Sequence, residues 1–244
     1  MIRGFKTMCM GIVFLAQVTG AADVAPVTVF NAGCPGRNSV QALARLGQDV
    51  LARHPQHVVL YLGMNDAMNS KNLCPLDAYT RNMEQMIQQL QTNQVRTIVL
   101  VTCNPILEAY VAERHPNHPQ RQALQAYLNR YNARIRQLAK QYQLPCVDLH
   151  ERVAALGGAT GTSNSLVRCE VNCGAKDGVH LTREGYAVLG NLVADVLLPQ
   201  VQAGDRIVCY GDSLTFGVTV KGAGSVEGET YPAVLKQRFT RHTK

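Results

Sequence analysis

Short apolar runs alternate with longer amphipathic stretches along almost the whole chain from Val27 onward. Some of the runs are rich in β-branched residues and end in turn formers, the pattern of buried strands: Val27–Asn31, His57–Leu62, Arg96–Thr102, Pro145–Leu149 and Arg206–Tyr210. Between them, apolar residues recur at helical spacing. Val40, Leu43, Leu46, Val50 and Leu51 share one face, and Leu76, Tyr79, Met83, Met86, Ile87 and Leu90 a second. Leu124, Leu128, Tyr131, Ile135 and Leu138 make a third stripe; Tyr186, Leu189, Val193 and Leu197 make a fourth. Such stripes face a core. Thr182 is a good N-cap for the fourth helix and sets His180 just ahead of its start.

Strands alternating with helices imply a parallel sheet covered on both faces. The expected fold is therefore α/β, three layers (α/β/α) around a five-stranded parallel sheet. In such folds ligands bind beyond the carboxyl ends of the strands. That singles out the loops Asn31–Asn38, Gly63–Asp66, Cys103–Pro105 and Gly211–Gly217, and all but the Cys103–Pro105 loop carry chemistry.

Composition narrows the picture in three ways. A length of 244 residues suits one α/β domain with a full core, and no low-complexity tract interrupts it. The formal charge of +7 is spread among acids with no long basic run, so it reads as a solvated surface and no nucleic-acid partner is expected. Neither G-x-G-x-x-G nor a P-loop follows a strand, which speaks against a nucleotide-binding protein.

The start of the chain differs from the rest. Arg3 and Lys6 precede the apolar stretch Met8–Val18, then Thr19-Gly20-Ala21-Ala22, the pattern of a signal peptide over residues 1–22. The stretch is too short to span a bilayer, so the expectation is a secreted or periplasmic protein with no stable membrane span. Of the eight Cys, Cys9 would leave with the signal and the remainder cannot all pair. Cys169 and Cys173, close together in a polar loop, are the most plausible disulfide, while Cys146 and Cys209 read as small buried hydrophobes. His115 and His118 are better read as part of a Pro-rich surface loop than as metal ligands, and no spacing makes a zinc site.

The candidate chemistry centres on Gly211-Asp212-Ser213-Leu214. Ser213 follows the last strand, but a serine hydroxyl is a weak nucleophile until a base takes its proton. Asp177-Gly178-Val179-His180 offers that base, with a carboxylate three residues earlier to hold the imidazole's tautomer. Acyl transfer also needs donors for a developing oxyanion. The Asn65 side chain, the Gly36 N–H and the Ser213 N–H are the candidates, each just beyond a strand.

This set resembles the SGNH, or GDSL-type, hydrolase family, whose blocks contribute a nucleophilic Ser, an oxyanion Gly, an oxyanion Asn and an Asp-x-x-His. The resemblance covers about residues 27–240. It implies a flavodoxin-like SGNH hydrolase fold and a serine esterase without metal or organic cofactor. Ser213, His180 and Asp177 would be its triad, and Ser213, Gly36 and Asn65 its oxyanion hole. The implied substrates are acetyl or short acyl esters of carbohydrates or lipids. Other members would make it a lysophospholipase or thioesterase, or a non-catalytic glycan-binding relative.

The block order departs from the family. Here it runs Gly36, Asn65, His180, Ser213, whereas the family places its Ser block first. The reading is a circular permutation of a single domain over residues 23–244, with the family's N-terminal Ser block moved to residues 205–240 behind a part at 27–200. The expected strand order across the sheet is 27–31, 206–210, 57–62, 96–102, 145–149. A fragment of a tandem array is the rival, opposed by the signal-like start and the single copy of each block. The expected state is a monomer, or a dimer exchanging the C-terminal segment. Asn104–Pro119 and Gly157–Lys176 are expected to shape the pocket.

Overall fold

The computed structural model of the protein describes Met1 and residues 25–242; the leader expected over residues 1–22 otherwise lies outside them. In chain order the elements are β1 (Thr28–Gly33), α1 (Ser39–Asp49), β2 (His57–Tyr61), α2 (Met64–Met68), α3 (Leu76–Thr92) and β3 (Thr97–Val101). There follow α4 (Glu108–Arg114), α5 (Leu124–Gln141), β4 (Cys146–Val147), α6 (Leu149–Ala155), α7 (Glu170–Cys173) and α8 (Arg183–Leu197). The chain closes with β5 (Arg206–Gly211), α9 (Ser213–Phe216) and α10 (Tyr231–His242).

The strands form one parallel sheet in the order β1-β5-β2-β3-β4, the expected order, with the last strand of the chain slotted second. β2 and β3 are buried along their whole length, which is why they read as unbroken apolar runs and not as alternating ones. Helices α1, α3 and α5 pack in succession on one another, and α8 packs on α10, giving the three-layer α/β/α architecture. At the edge where the strands begin, buried Asp205 accepts from His57 Nε2 (2.9 Å) and pairs with Arg96, tying the starts of β2, β3 and β5 together.

Some elements differ from the sequence pattern for local reasons. Val40 is exposed, while Leu46 and Val50 of the expected stripe are buried together with Ser39 and Ala42; a capping box between Asn38 and Gln41 fixes the first turn. The run Pro145–Leu149 yields only a two-residue strand, since the Asp148 side chain accepts from Glu151 N–H and caps a helix starting at Leu149. The thiols of Cys169 and Cys173 are not joined. Cys169 Sγ lies 3.5 Å from the Thr162 carbonyl and Cys173 Sγ 3.0 Å from the Cys169 carbonyl, so each meets backbone in place of the other sulfur. Cys209 is buried, while Cys146 is only partly so.

Candidate active site

The carboxyl ends of β1, β2, β3 and β5 converge on one edge of the sheet. Ser213 opens α9 directly after β5, and the Asp212 side chain caps that turn by accepting from Leu214 N–H at 2.8 Å. As the first helical residue, Ser213 has a backbone N–H without an intrahelical acceptor. The turn sits hard against the end of β1. A Cβ on Gly33 would lie 2.1 Å from the Phe216 backbone N, a distance no side chain tolerates. Gly33→Ala should therefore cost about 1–3 kcal/mol and displace the Ser213 turn, lowering both the urea midpoint and the activity. An unchanged midpoint with full activity would show that the turn is not held this way.

His180 bridges the site. Its Nε2 lies 3.0 Å from Ser213 Oγ, and its Nδ1 lies 2.9 and 3.0 Å from the Asp177 carboxylate oxygens. With Nδ1–H donated to Asp177, Nε2 is the acceptor facing the serine hydroxyl. Asp177 Oδ1 also accepts from the N–H groups of Val179 and His180, a tight turn that fixes the carboxylate to the imidazole's own backbone. Burial alone would raise the Asp177 pKa. The hydrogen bond and charge of His180, with those two backbone donors, outweigh it and hold the carboxyl well below the usual carboxylate range.

Asn65 stands in the first turn of α2, just past β2. One amide hydrogen goes to Asp212 Oδ2 (2.9 Å) and its Oδ1 accepts from Asn69 (3.1 Å), which fixes the amide and leaves its second hydrogen for the cavity. Gly36 adopts a left-handed backbone (φ 75°), and its carbonyl is held by the Asn72 side chain. Gly33, three residues earlier, has its N–H engaged by Asn31 Oδ1. A cavity of about 320 Å³ brings together Gly36, Asn65, His180 and Ser213, with Met64, Met68, Arg114, His115 and Val218 also in its walls. All the residues named from the sequence thus meet at one place.

Several supporting residues carried no sequence signal. The loop after β3, which lacked obvious chemistry, supplies buried Asn104: its amide donates to the Val179 carbonyl (3.0 Å) and its Oδ1 accepts from Tyr61 OH (2.6 Å), bracing the peptide before His180. The segment Gly157–Lys176 contributes Val167, which bridges Leu181 antiparallel, while Arg168 N–H donates to the His180 carbonyl (2.8 Å). Buried Asp66 accepts from the Ser39 N–H and hydroxyl, joining α1 to α2 below the cavity. Burial pushes the carboxyls of Asp66 and Asp212 each up to about 6. The segment Asn104–Pro119, expected to shape the pocket, contains α4, whose end brings Arg114 and His115 to the cavity; His118, expected in a surface loop, is buried with Nε2 2.7 Å from the Ala67 carbonyl. Among the described residues no cluster of His, Cys, Asp and Glu has metal-ligand geometry, and no helix is long and apolar enough to cross a membrane.

A parallel α/β sheet with a serine, an imidazole and a carboxylate in line beside backbone and amide donors has the make of a carboxylic ester hydrolase. The chain matches the family model of the GDSL-like lipase/acylhydrolases over residues 13–188 and belongs to that family. It is similar to a solved GDSL-like lipase from Bacteroides thetaiotaomicron, with 25% identity, a TM-score of 0.53, and coverage of 68% of this chain and 73% of that one. An acetyl xylan esterase structure shares the fold at 24% identity and a TM-score of 0.54, covering 68% and 79%. A Bacillus subtilis relative described as the uncharacterized lipoprotein YqeF is 24% identical over 190 residues, 73% of this chain and 77% of its own length.

Proposed function

We propose that the protein is an exported serine esterase that removes acetyl or short acyl groups from carbohydrate or lipid esters, with Ser213, His180 and Asp177 as its triad. The observation that carries this is the in-line contact of His180 with both partners, 3.0 Å to Ser213 Oγ and 2.9 Å to Asp177. His180 takes the hydroxyl proton as Ser213 Oγ attacks the ester carbonyl; Asp177 orients the imidazole and stabilises the imidazolium. The Gly36 and Ser213 N–H groups and the Asn65 amide hold the tetrahedral oxyanion. Collapse breaks the bond to the alkoxy oxygen, which leaves as the alcohol with the proton from His180. Water, deprotonated by the same imidazole, then releases the acid and restores Ser213.

The permuted reading belongs to the same proposal. In support of it, the family match ends at residue 188, short of Ser213, while β5 fills the second place in the sheet of its own chain. Helix α10 packs on β1, as it would if the family's first helix normally led into that strand. Export draws support from the signal-like start and from the relative's description as a lipoprotein.

The short-acyl preference is tested with 4-nitrophenyl esters from acetate to palmitate. Activity is expected to be highest on acetate and to fall with chain length, since the cavity of about 320 Å³ must also admit the alcohol. Activity rising toward palmitate would overturn the acyl assignment.

A further inference from the structure

The cavity at Ser213 has a second set of donors. Arg114 ends α4 and His115 follows it, and both line the cavity. Arg114 is exposed and donates through Nη2 to the Asp177 carbonyl at 2.6 Å; among the described residues it has no carboxylate partner. A guanidinium carries five N–H donors in a fork matched to oxyanions, so most of this one is unused. The acid beside it, Glu113, is paired with Lys176 at 3.2 Å.

His115 adds a defined donor. Its Nδ1 lies 3.4 Å from the Ser70 backbone N and 3.0 Å from Ser70 Oγ. A backbone N–H can only donate, so Nδ1 is the acceptor and the ring proton sits on Nε2. Burial, then the charges of Arg114, His118 and Lys71, press the His115 pKa below its ordinary value, which keeps the ring neutral with one N–H to offer. Arg114 reaches the cavity from the side of His180, through the carbonyl of its partner Asp177, and in the proposed mechanism His180 is the group that protonates the departing alcohol.

We propose that Arg114 and His115 form a specificity subsite for the alcohol half of the substrate, selecting esters whose alcohol carries a carboxylate or phosphate group. This rests on the esterase reading and deepens it. The subsite supplies charge-assisted hydrogen bonds to an oxyanion several bonds from the scissile ester, where a neutral alcohol would leave the guanidinium unengaged.

The test compares acetyl esters matched in pairs: an acetylated hexuronate against the acetylated hexose, and glycerol 3-phosphate monoacetate against glycerol monoacetate. The parent protein is expected to favour the anionic member of at least one pair by about tenfold or more in kcat/KM, chiefly through KM. The pair that responds tells carboxylate from phosphate. In Arg114→Gln the anionic-to-neutral ratio should fall toward one, Arg114→Lys should keep part of it, and about 0.5 M salt should shrink it in the parent. A ratio near one in the parent for both pairs, or a ratio that Arg114→Gln leaves unchanged while both rates drop, overturns the subsite and leaves Arg114 a clamp on the Asp177 loop. Folded protein that cleaves none of the four esters, nor 4-nitrophenyl acetate, overturns the esterase reading itself.

Discussion

Ser213→Ala is expected to lower kcat on 4-nitrophenyl acetate by at least about 10⁴-fold and to abolish labelling by a fluorophosphonate serine probe. The size follows from the geometry. In the proposed mechanism Ser213 Oγ forms the bond to the substrate, and among the described residues His180 Nε2 has no other hydrogen-bond partner that could replace it. The fold should not notice the change: Ser213 is only partly buried, and the turn is held by Asp212 and by Gly33 beneath it, so circular dichroism and the urea midpoint should match the parent. Intact mass then reads the result directly, with one adduct on the parent and none on the variant. Labelling that persists in the variant would place the reactive serine elsewhere and remove the foundation of the proposed mechanism. His180→Ala should cost a similar factor and not a multiplied one, because nucleophile and base act as a unit.

How far the sequence went differs between scaffold and site. The sheet was legible because β2 and β3, buried on both sides, must be continuous apolar runs bounded by turns. The strand order expected from the position of the Gly211–Leu214 block set 206–210 second, and β5 does lie between β1 and β2. The residues proposed to touch the reacting atoms were legible as candidates too, since acyl transfer draws on few residue types and Gly36, Asn65 and Ser213 stand just after strands. The residues that hold them were not. Asn104, Arg168 and Tyr61 act through long-range contacts to the backbone around His180 or to one another, and an asparagine in a loop gives no sign of which carbonyl it will meet. Arg114 and His115 lay in a segment whose Pro residues suggested irregular chain, yet Glu108–Arg114 is helical and brings both to the cavity. On α1 the apolar stripe holds at Leu43, Leu46 and Val50, whereas Val40 is exposed and Ser39, which gives no hydrophobic signal, is buried beside the cap at Asn38.

Asp177→Asn should separate the carboxylate's charge from its geometry. The amide oxygen can still accept from the Val179 and His180 N–H groups, so the turn survives. What changes is the face toward Nδ1. An amide presenting NH₂ there favours the tautomer with its proton on Nε2, which can no longer accept from Ser213, and a drop in kcat of about 10⁴ is expected. The pH dependence offers a second check. A carboxyl whose pKa is depressed in the folded protein contributes stability that is present above its unfolded value, near 3.9, and is lost as pH falls toward the folded value. The parent should therefore lose stability below about pH 4 more steeply than Asp177→Asn, which lacks that group. For the same reason Asp177 stays ionised through the working range, and protonation near pH 6 belongs instead to buried Asp66 and Asp212, the latter the acceptor that orients Asn65. Hydrogen-bonded geometry without the charge would then be insufficient for turnover. If Asp177→Asn stayed within tenfold of the parent, the imidazole would need no carboxylate, and the site would work as a serine–histidine dyad with Asp177 serving only to shape the loop.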